Sequence, residues 1–353
     1  MIPAIRTTLA VLLFVTLVPL TGYAWDRGDV DTFATLPPGE RHPEGITADK
    51  HGNIYVTTFD ITHPGRAGQL FVFRPNGRLL RQVSVAGSSN LLLDLAFHPM
   101  THKLLILDFG GAKVLTVNPV TGESEVFTSL TGQPGLNVLT FDRDGNVYIS
   151  ASFAGKIFKT GPDGGPVTVW VESALLTTTG VPGFGANGLA FNRAQTLLFV
   201  ANTGNDTIVK IPVNADGSAG TPAVFVNSIN GADGLIIDKH DNLWVAANQA
   251  DEIVVVNPSG RAIAKLGDFD GIDHKGRPKA LLFPASLVRH GDFIFVTNLS
   301  IDLRNFDDPT HPELTNGTVD SQWAADVKID TVAKIRARIP RGEDSPRTHD
   351  TDD

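Results

Sequence analysis

The segment Asp233-Gly-Leu-Ile-Ile-Asp238, followed after a turn by the strand-like run Leu243-Trp-Val-Ala246, decides the fold because its pattern recurs along the chain. Its frame also occurs at Glu44-Gly-Ile-Thr-Ala-Asp49, Asn137-Val-Leu-Thr-Phe-Asp142 and Asn187-Gly-Leu-Ala-Phe-Asn192. After each of these comes a turn and a second apolar run: Ile54-Tyr-Val-Thr57, Val147-Tyr-Ile-Ser150 and Leu198-Phe-Val-Ala201. Every copy opens on a residue with a side-chain oxygen. The chain is therefore a repeat whose first position can carry chemistry.

A second series of strand-like segments accompanies the first. Its members are Gln69-Leu-Phe-Val-Phe73, Lys113-Val-Leu-Thr-Val117, Lys156-Ile-Phe-Lys159, Thr207-Ile-Val-Lys-Ile211, Glu252-Ile-Val-Val-Val256 and Val332-Ala-Lys-Ile-Arg336. Most of them end in a Gly-containing turn that suits a hairpin. Units of roughly 45 to 50 residues with about four strands each are typical of β-propellers. The sequence therefore predicts an all-β fold, a six-bladed β-propeller of four-stranded blades.

The two ends of the chain are predicted to close the ring. The last blade lacks a fourth strand, and Val30-Asp-Thr-Phe-Ala-Thr-Leu36 can supply it from the N-terminal side. The propeller then spans residues 25–340. Residues 341–353 have no apolar pattern and are predicted to form a disordered acidic tail.

Residues 1–24 have the features of a cleaved export signal. They contain an early cation, Arg6, an apolar run from Leu9 to Leu20, and small residues in Gly22-Tyr-Ala24. The apolar run is shorter than the roughly 20 residues of a membrane-spanning helix, and an uncleaved anchor is the alternative. We expect an exported protein, periplasmic or secreted, with no membrane contact after cleavage.

Composition limits the chemistry and the partners. A formal net charge of −9 argues against binding to nucleic acid or to an anionic membrane surface. The chain has no cysteine, which excludes disulfides, thiolate catalysis and thiolate metal ligands. Oxygen or imidazole would have to hold any metal ion. We expect a monomer whose partner is a small molecule.

The first residues of the repeated frame are predicted to meet at the centre of the ring. In a propeller, the innermost strand of each blade begins at one face beside the axis, so equivalent first residues converge. Blades one, three, four and five contribute Glu44, Asn137, Asn187 and Asp233. In the same frame, blades two and six contribute Leu93 and Pro284, which cannot bind a metal. Asp94 is one residue out of phase, and strand alternation would direct it to the other side.

The chemistry of this set favours a hard divalent cation. Four oxygens with two formal negative charges suit Ca²⁺, with water completing a coordination number of 6–8. Zn²⁺ and Mn²⁺ are alternatives. In a second interpretation, Asn, Asp and Gly begin these strands only because turns favour them. Glu is not a turn former, and this favours the metal site.

The same residues carry a resemblance to a known family. The ordered set of four, within His-Pro-Glu44-Gly-Ile, Ala-Asn187-Gly-Leu-Ala-Phe and Ala-Asp233-Gly-Leu, resembles the senescence marker protein/gluconolactonase superfamily with its regucalcin-like lactonases. Paraoxonase and diisopropyl fluorophosphatase are similar propellers. The resemblance covers roughly residues 44–298. It implies a six-bladed propeller with one catalytic divalent ion and hydrolysis of a lactone, an ester or a phosphotriester.

One departure from the family pattern concerns the substrate. Regucalcin-like and bacterial gluconolactonases usually carry an Arg two residues before the Asn of blade three and an Asp directly after it. Here these positions are Gly135 and Val138. The Arg that would contact a sugar-lactone hydroxyl is absent, so the sequence favours a less polar substrate than an aldonolactone.

Roles can be assigned within the predicted site. Asp233 is the candidate general base or nucleophile, and Glu44 is the candidate structural anion. The second strand of each blade ends at the same face. This makes Asp108, Asn202 and Asn298 candidates for orienting ligands or binding substrate, with Thr58, Ser150 and Asn248 nearby. His63 lies in a loop on this face and is a candidate base, with a solvated loop histidine as the alternative.

The longest irregular segment, residues 301–326, should project from the same face, and Phe306 and Trp323 make it a candidate lid. Two other functions stay open at this point. One is a ligand-binding propeller without catalysis. The other is a strictosidine synthase-like enzyme with a structural metal. Retention of all four oxygen ligands favours the hydrolase.

Overall fold

A computed structural model describes residues 26–305 and 323–339. In this part of the chain, the strands form six four-stranded antiparallel sheets, which are the blades of a six-bladed β-propeller, and one two-stranded hairpin. The predicted fold class is confirmed. The predicted export signal at residues 1–24 and the predicted tail at residues 341–353 lie outside the described residues.

The strands follow one another blade by blade. Strand β1 (Val30–Thr35) precedes blade one, which contains β2 (Pro43–Ala48), β3 (Ile54–Thr58), β4 (Gln69–Phe73) and β5 (Leu79–Ser84). Blade two contains β6 (Leu92–Phe97), β7 (Leu104–Asp108), β8 (Lys113–Val117) and β9 (Ser124–Ser129). Blade three contains β10 (Leu136–Phe141), β11 (Val147–Ala151), β12 (Lys156–Gly161) and β13 (Gly164–Glu172).

The second half of the ring repeats this order. Blade four contains β14 (Ala186–Phe191), β15 (Leu197–Asn202), β16 (Thr207–Pro212) and β17 (Ala223–Val226). Blade five contains β18 (Ala232–Ile237), β19 (Leu243–Ala247), β20 (Glu252–Val256) and β21 (Ala262–Leu266). The hairpin of β22 (Phe269–Ile272) and β23 (Pro278–Ala280) leads to blade six, with β24 (Pro284–His290), β25 (Phe293–Asn298) and β26 (Thr331–Arg336). Short 3-10 turns lie at Ala174–Leu176, Asn248–Ala250 and Leu303–Asn305.

Blade six is completed by the N-terminal strand. The order of its sheet is β1-β26-β25-β24, and β1 pairs antiparallel with β26 from Val30 opposite Ile335 to Thr35 opposite Thr331. Hydrogen bonds thus join the two ends of the described chain within one sheet. The prediction that this strand closes the ring is confirmed.

Six apolar clusters fill the interfaces between neighbouring blades. Between blades one and two, for example, Leu70 and Val72 pack with Leu95 and Ile106. The same arrangement occurs at each of the other interfaces around the ring. Because both faces of a blade are covered by its neighbours, its middle strands are buried along their whole length and are largely apolar, as in β4 and β7. Each large side chain buried in this way contributes about 1.5–3 kcal/mol.

The Asp that ends the repeated frame organises the following turn. Asp238 Oδ1 accepts hydrogen bonds from the backbone N–H groups of His240 (2.8 Å) and Asn242 (2.9 Å). Its Oδ2 accepts from Asn242 Nδ2 (2.9 Å) and Trp244 Nε1 (3.1 Å). Asp49 and Asp142 make equivalent contacts in blades one and three. Burial raises the pKa of Asp238, but these hydrogen bonds outweigh it and hold the pKa below its usual value.

No helix in the described residues is long and apolar enough to cross a membrane.

Candidate metal centre

The four residues at the start of the repeated frame meet in one cavity on the propeller axis. Glu44, Asn137, Asn187 and Asp233 come from β2, β10, β14 and β18, and all four line this cavity. Their exposed fractions are 4%, 3%, 4% and 5%. The cavity has a volume of about 50 Å³ for the centres of water molecules. Since one water needs roughly 10–15 Å³ by this measure, the space fits an ion with a few waters. We call these residues the four-residue site.

A break in strand pairing places each of these side chains. In β2 the pairing with β3 is interrupted between Pro43 and Ile46, and β10, β14 and β18 are interrupted at the equivalent point. Such a bulge inserts an extra residue and redirects the side chain next to it. The following glycines let neighbouring inner strands come close, since a Cβ on Gly188 would meet the carbonyl oxygen of Asp233.

Hydrogen bonds fix the orientation of the two Asn side chains. Ser152 Oγ donates to the carbonyl oxygen of Ala186 (2.7 Å), so it can only accept from Asn137 Nδ2 (3.2 Å). Thr203 Oγ1 donates to the carbonyl oxygen of Ala232 (2.8 Å) and accepts from Asn187 Nδ2 (2.9 Å). Each amide nitrogen is thereby anchored. The Oδ1 atoms of both Asn side chains are buried and have no hydrogen-bond partner within the described structure.

The two carboxylates lie in a site that disfavours their negative charge. Burial, and then the charges of Asp233 and Asp94, raise the pKa of Glu44 well above its usual value. Glu44 Oε2 is buried and lacks a hydrogen-bond partner among the described residues. Burial also raises the pKa of Asp233 to about 7, against the opposing effect of the hydrogen bond from Asn248 Nδ2 to its Oδ2 (3.0 Å). A cation among these oxygens would relieve the repulsion and supply the missing partners.

The hydrogen-bonding state and the chemistry of the four-residue site fit a hard cation. Buried polar atoms normally have hydrogen-bond partners, and here three buried oxygens from Glu44, Asn137 and Asn187 lack one. The donor set is two carboxylates and two amides. Within the described residues, no three His, Asp or Glu side chains come together as a metal-binding group. Oxygen donors alone suit Ca²⁺ better than they suit Zn²⁺.

Blades two and six contribute apolar side chains at the equivalent position. In blade two this residue is Leu93, as predicted. In blade six it is Ala285 and not Pro284, because Pro284 pairs with Asn298 as Pro43 pairs with Thr58. Asp94 takes the place of Gly45 in the bulge, and its Oδ2 accepts a hydrogen bond from Leu139 N (2.9 Å). Its pKa is raised to about 7 by burial.

The residues that end the second strands anchor loops. Asp108 accepts from Ser89 N (3.0 Å) and Gly111 N (2.9 Å). Asn202 Nδ2 donates to the carbonyl oxygens of Leu175 (3.0 Å) and Thr177 (2.9 Å). Asn298 Nδ2 donates to the carbonyl oxygen of Ala280 (2.9 Å), and its Oδ1 accepts from Leu282 N (3.1 Å). Asp108 also lies 3.6 Å from Lys113 Nζ, and Asn298 Nδ2 also donates to Thr331 Oγ1 (2.9 Å). None of the three is among the described residues that line the cavity.

The next residue along each chain segment differs between the blades, and in three blades it contacts the four-residue site. In blades three, four and five these are Ser152, Thr203 and Asn248, which contact Asn137, Asn187 and Asp233. In blades one, two and six they are Phe59, Phe109 and Leu299. Of these six residues, only Asn248 was predicted from the sequence to lie near the site. The sequence signal that could have identified them is that this position is polar in blades three, four and five and apolar in blades one, two and six.

His63 lies beside a buried acid in the blade-one loop. Its Nδ1 is 2.8 Å from Asp60 Oδ2, and Asp60 Oδ1 accepts from Thr62 N at 3.0 Å. Burial raises the pKa of Asp60, but hydrogen bonds from Thr62 and His63 outweigh it and hold the pKa below its usual value. The His63 side chain is 45% exposed. His63 does not line the cavity, whereas Phe59, four residues earlier, does.

The candidate lid is described only at its ends. Ile301 and Leu303 line the cavity with Phe283 and Leu299. The Trp323 ring packs on Phe269 at a centroid distance of 5.4 Å. Phe306 lies outside the described residues.

The fold places the chain among the six-bladed β-propellers, and the comparisons with known proteins show what it is similar to within that class. Residues 96–267 match the sequence model of the SMP-30/Gluconolactonase/LRE-like region. The resemblance to this family that was predicted from the sequence is confirmed over this stretch of the chain.

Individual relatives lie at low sequence identity. The chain is 26% identical over 147 residues to lactonase drp35 of Staphylococcus haemolyticus, covering 40% of this chain and 44% of that protein, which is less than half of its length. It is 24% identical over 241 residues to lactonase drp35 of Staphylococcus aureus, covering 63% of this chain and 68% of that protein. The solved structure of a calcium-binding protein, regucalcin, from Agrobacterium tumefaciens has a TM-score of 0.57 at 16% identity, covering 87% of this chain and 97% of that one.

Proposed function

We propose that this protein is an exported, metal-dependent hydrolase that opens a lactone or cleaves an ester, with phosphotriesters as a further substrate class. The observation that carries the proposal is the set of inward-facing oxygens on Glu44, Asn137 and Asn187, buried without partners beside the Asp233 carboxylate. The relatives named lactonase drp35 and the match to the gluconolactonase-like region support the reaction type.

Glu44, Asn137, Asn187 and Asp233 would hold one divalent ion, and we propose Ca²⁺, with Zn²⁺ or Mn²⁺ as alternatives. The two carboxylates balance its charge, and the two amides add neutral oxygens. When bound, the ion would polarise the substrate's carbonyl or phosphoryl oxygen and stabilise the negative charge that develops there.

The protein's own residues would orient and activate the reacting groups. Ser152 and Thr203 hold the two amides so that their oxygens face the cavity. Asn248 fixes Asp233 through its Oδ2, which makes Asp233 the positioned carboxylate and our candidate for the general base or nucleophile. Glu44 would act as an anionic ligand. The surrounding apolar side chains exclude water from the reacting bond.

Elemental analysis of the purified protein, with hydrolysis of a panel of lactones and aryl esters before and after chelation, tests this proposal. We expect one divalent ion per chain, loss of turnover on chelation and recovery when the metal is restored. Glu44→Ala should lose the metal, whereas Asp233→Asn should retain it and lose turnover. If no metal binds stoichiometrically even after reconstitution, the hydrolase proposal fails and a ligand-binding propeller becomes the better interpretation.

Export is the second part of the proposal, and its support is the sequence pattern of residues 1–24. The N-terminal sequence of protein recovered from the periplasm or medium of an expressing cell should begin directly after Ala24. Retention of the uncleaved chain in the cytoplasm would contradict this part and leave the hydrolase proposal intact. Size-exclusion chromatography of the same sample checks the expected monomer.

A further inference from the structure

Four phenylalanine side chains form a continuous group beside the four-residue site. The ring centroids of Phe59 and Phe109 are 5.5 Å apart, and those of Phe109 and Phe153 are 5.7 Å apart. Phe184 completes the group at 5.3 Å from Phe153 and 6.1 Å from Phe109. These separations lie in the range of favourable aromatic contacts. We call Phe59, Phe109, Phe153 and Phe184 the phenylalanine wall.

The phenylalanine wall is continuous with the metal centre. Phe59 and Phe184 line the same cavity as Asn137 and Asn187. From there the wall extends outward to Phe153, whose exposed fraction is 51%. A large aromatic side chain left half exposed next to a concave site is typical of a surface that binds an apolar group.

Phe153 also lies directly against the backbone at Gly135, two residues before Asn137. A Cβ on Gly135 would lie 2.7 Å from the Phe153 ring, and Gly135 has φ of 72°, which disfavours any other residue. The Phe153 N–H donates to the carbonyl oxygen of Pro134 (3.1 Å), and this fixes its backbone against the same segment. A long cationic side chain at residue 135 has no room here. The ring covers the backbone that would have carried it.

The residues that follow the second strands divide the ring into a polar half, blades three to five, and an apolar half, blades six, one and two. This division also favours an apolar substituent. After the second strands, blades three to five place Ser152, Thr203 and Asn248, and these are occupied in holding the four-residue site. The other blades place Phe59, Phe109 and Leu299 at this position. A hydroxylated substituent lying on the apolar half would lose its hydration without gaining hydrogen bonds, which is unfavourable.

The cavity is too small to hold the whole substrate together with an ion. About 50 Å³ fits an ion and the group it contacts, so the rest of the molecule must lie against the rim. We infer that the phenylalanine wall binds an alkyl or aryl substituent of the lactone or ester, so that substrates with an apolar side chain are preferred over hydroxylated sugar lactones. This inference rests on the proposed hydrolase function and names its substrate class.

Calorimetric titration with γ-alkyl γ-lactams of increasing chain length tests the inference, because these amide analogues bind without being turned over. Calcium-loaded and chelated protein are titrated in parallel. A fully buried methylene is worth about a fourfold change in affinity, so we expect the dissociation constant to fall by about this factor for each methylene that reaches the wall. Hydrolysis of the matching γ-alkyl lactones should show the same gain, mainly in KM.

Substitutions of Phe153 show whether the phenylalanine wall causes the dependence of affinity on chain length. Phe153→Ser should reduce the gain per methylene to less than half, because it removes the outer part of the wall, while Phe153→Leu should keep most of it. Val169→Ser is the matched control, since Val169 is 49% exposed on the outer strand β13 and distant from the cavity. It should leave the chain-length dependence unchanged.

The outcomes separate this inference from the proposed function. Lactone hydrolysis without chain-length dependence, or with gluconolactone preferred over alkyl lactones, would overturn the wall as the substituent site and keep the hydrolase. Chain-length-dependent lactam binding that Phe153→Ser weakens, without hydrolysis of any lactone or ester, would support the wall and reject the reaction.

Discussion

Removing the charge of Asp233 should make the metal-free protein more stable at neutral pH. Burial raises the pKa of this carboxyl from 3.8 to about 7, so between these values the folded chain holds a proton that the unfolded chain releases. The resulting stability is fully present below pH 3.8 and is lost as the pH rises through about 7. At 1.36 kcal/mol per pKa unit, the full effect is about 4 kcal/mol.

Asp233→Asn cannot ionise and therefore escapes this loss. Between about pH 4 and pH 8, the difference in free energy of unfolding between variant and wild type should shift by about 4 kcal/mol in favour of the variant. Because the Asp233 charge also raises the pKa of Glu44, its removal relieves a second carboxyl in the same direction. Urea unfolding in the presence of a chelator, followed by fluorescence of the buried Trp244, measures both proteins.

Calcium provides the control for this experiment. A bound divalent ion would hold the carboxylates in their ionised form, so saturating calcium should abolish the loss of wild-type stability with rising pH. It should stabilise the variant less. If the difference between the metal-free proteins does not change with pH, burial does not disfavour the ionised form of Asp233 in the folded state. The electrostatic argument for a cation would then be refuted.

Three further predictions concern how the fold supports the site. Gly188→Ala should lower the free energy of unfolding by about 1–3 kcal/mol in a thermal or urea melt, because the added Cβ meets the carbonyl oxygen of Asp233 in the next blade; an unchanged melt would show that the inner strands can separate freely. Ser152→Ala should weaken calcium binding by about 10- to 100-fold in a calorimetric titration, because Asn137 Nδ2 loses its acceptor, and undiminished affinity would mean that this amide needs no support. Deleting residues 25–36 should destabilise the whole propeller in calorimetry, because β26 loses its partner strand. Deletion of residues 341–353 serves as the control. If the protein without residues 25–36 melts like the full chain, ring closure through β1 is contradicted.

The fold was predictable because local and global signals agree. The repeated frame, the Gly-containing turns and the apolar runs all favour the same four-stranded unit. The closing strand followed from counting, since one blade lacked a strand and the chain had one left over at Val30–Thr35. Convergence of Glu44, Asn137, Asn187 and Asp233 was a geometric consequence of the ring. It required only that the four occupy the same position in their blades.

The surroundings of the site were less predictable, because they depend on contacts between blades. The repeated frame was aligned one residue too early in blade six, where the bulge brings Ala285 and not Pro284 to the equivalent position. The prediction for the ends of the second strands was one residue too early, because it selected Asp108, Asn202 and Asn298 and not the residues that follow them. No sequence pattern shows that Ser152 donates to the next blade at Ala186 and must therefore accept from Asn137.

The asymmetry of the ring explains how one fold can hold an ion and still leave room for an organic molecule. A closed ring of six polar residues would surround an ion and bury it. Here blades two and six, which lie on either side of Glu44 in blade one, place Leu93 and Ala285 at the position of the four-residue site, so the ring of side-chain oxygens has a gap on each side of Glu44. The ligand side holds its oxygens rigidly through Ser152, Thr203 and Asn248. Substrate preference can therefore change in the apolar half through residues such as Phe59 and Phe109, while the ligand geometry in the polar half stays the same.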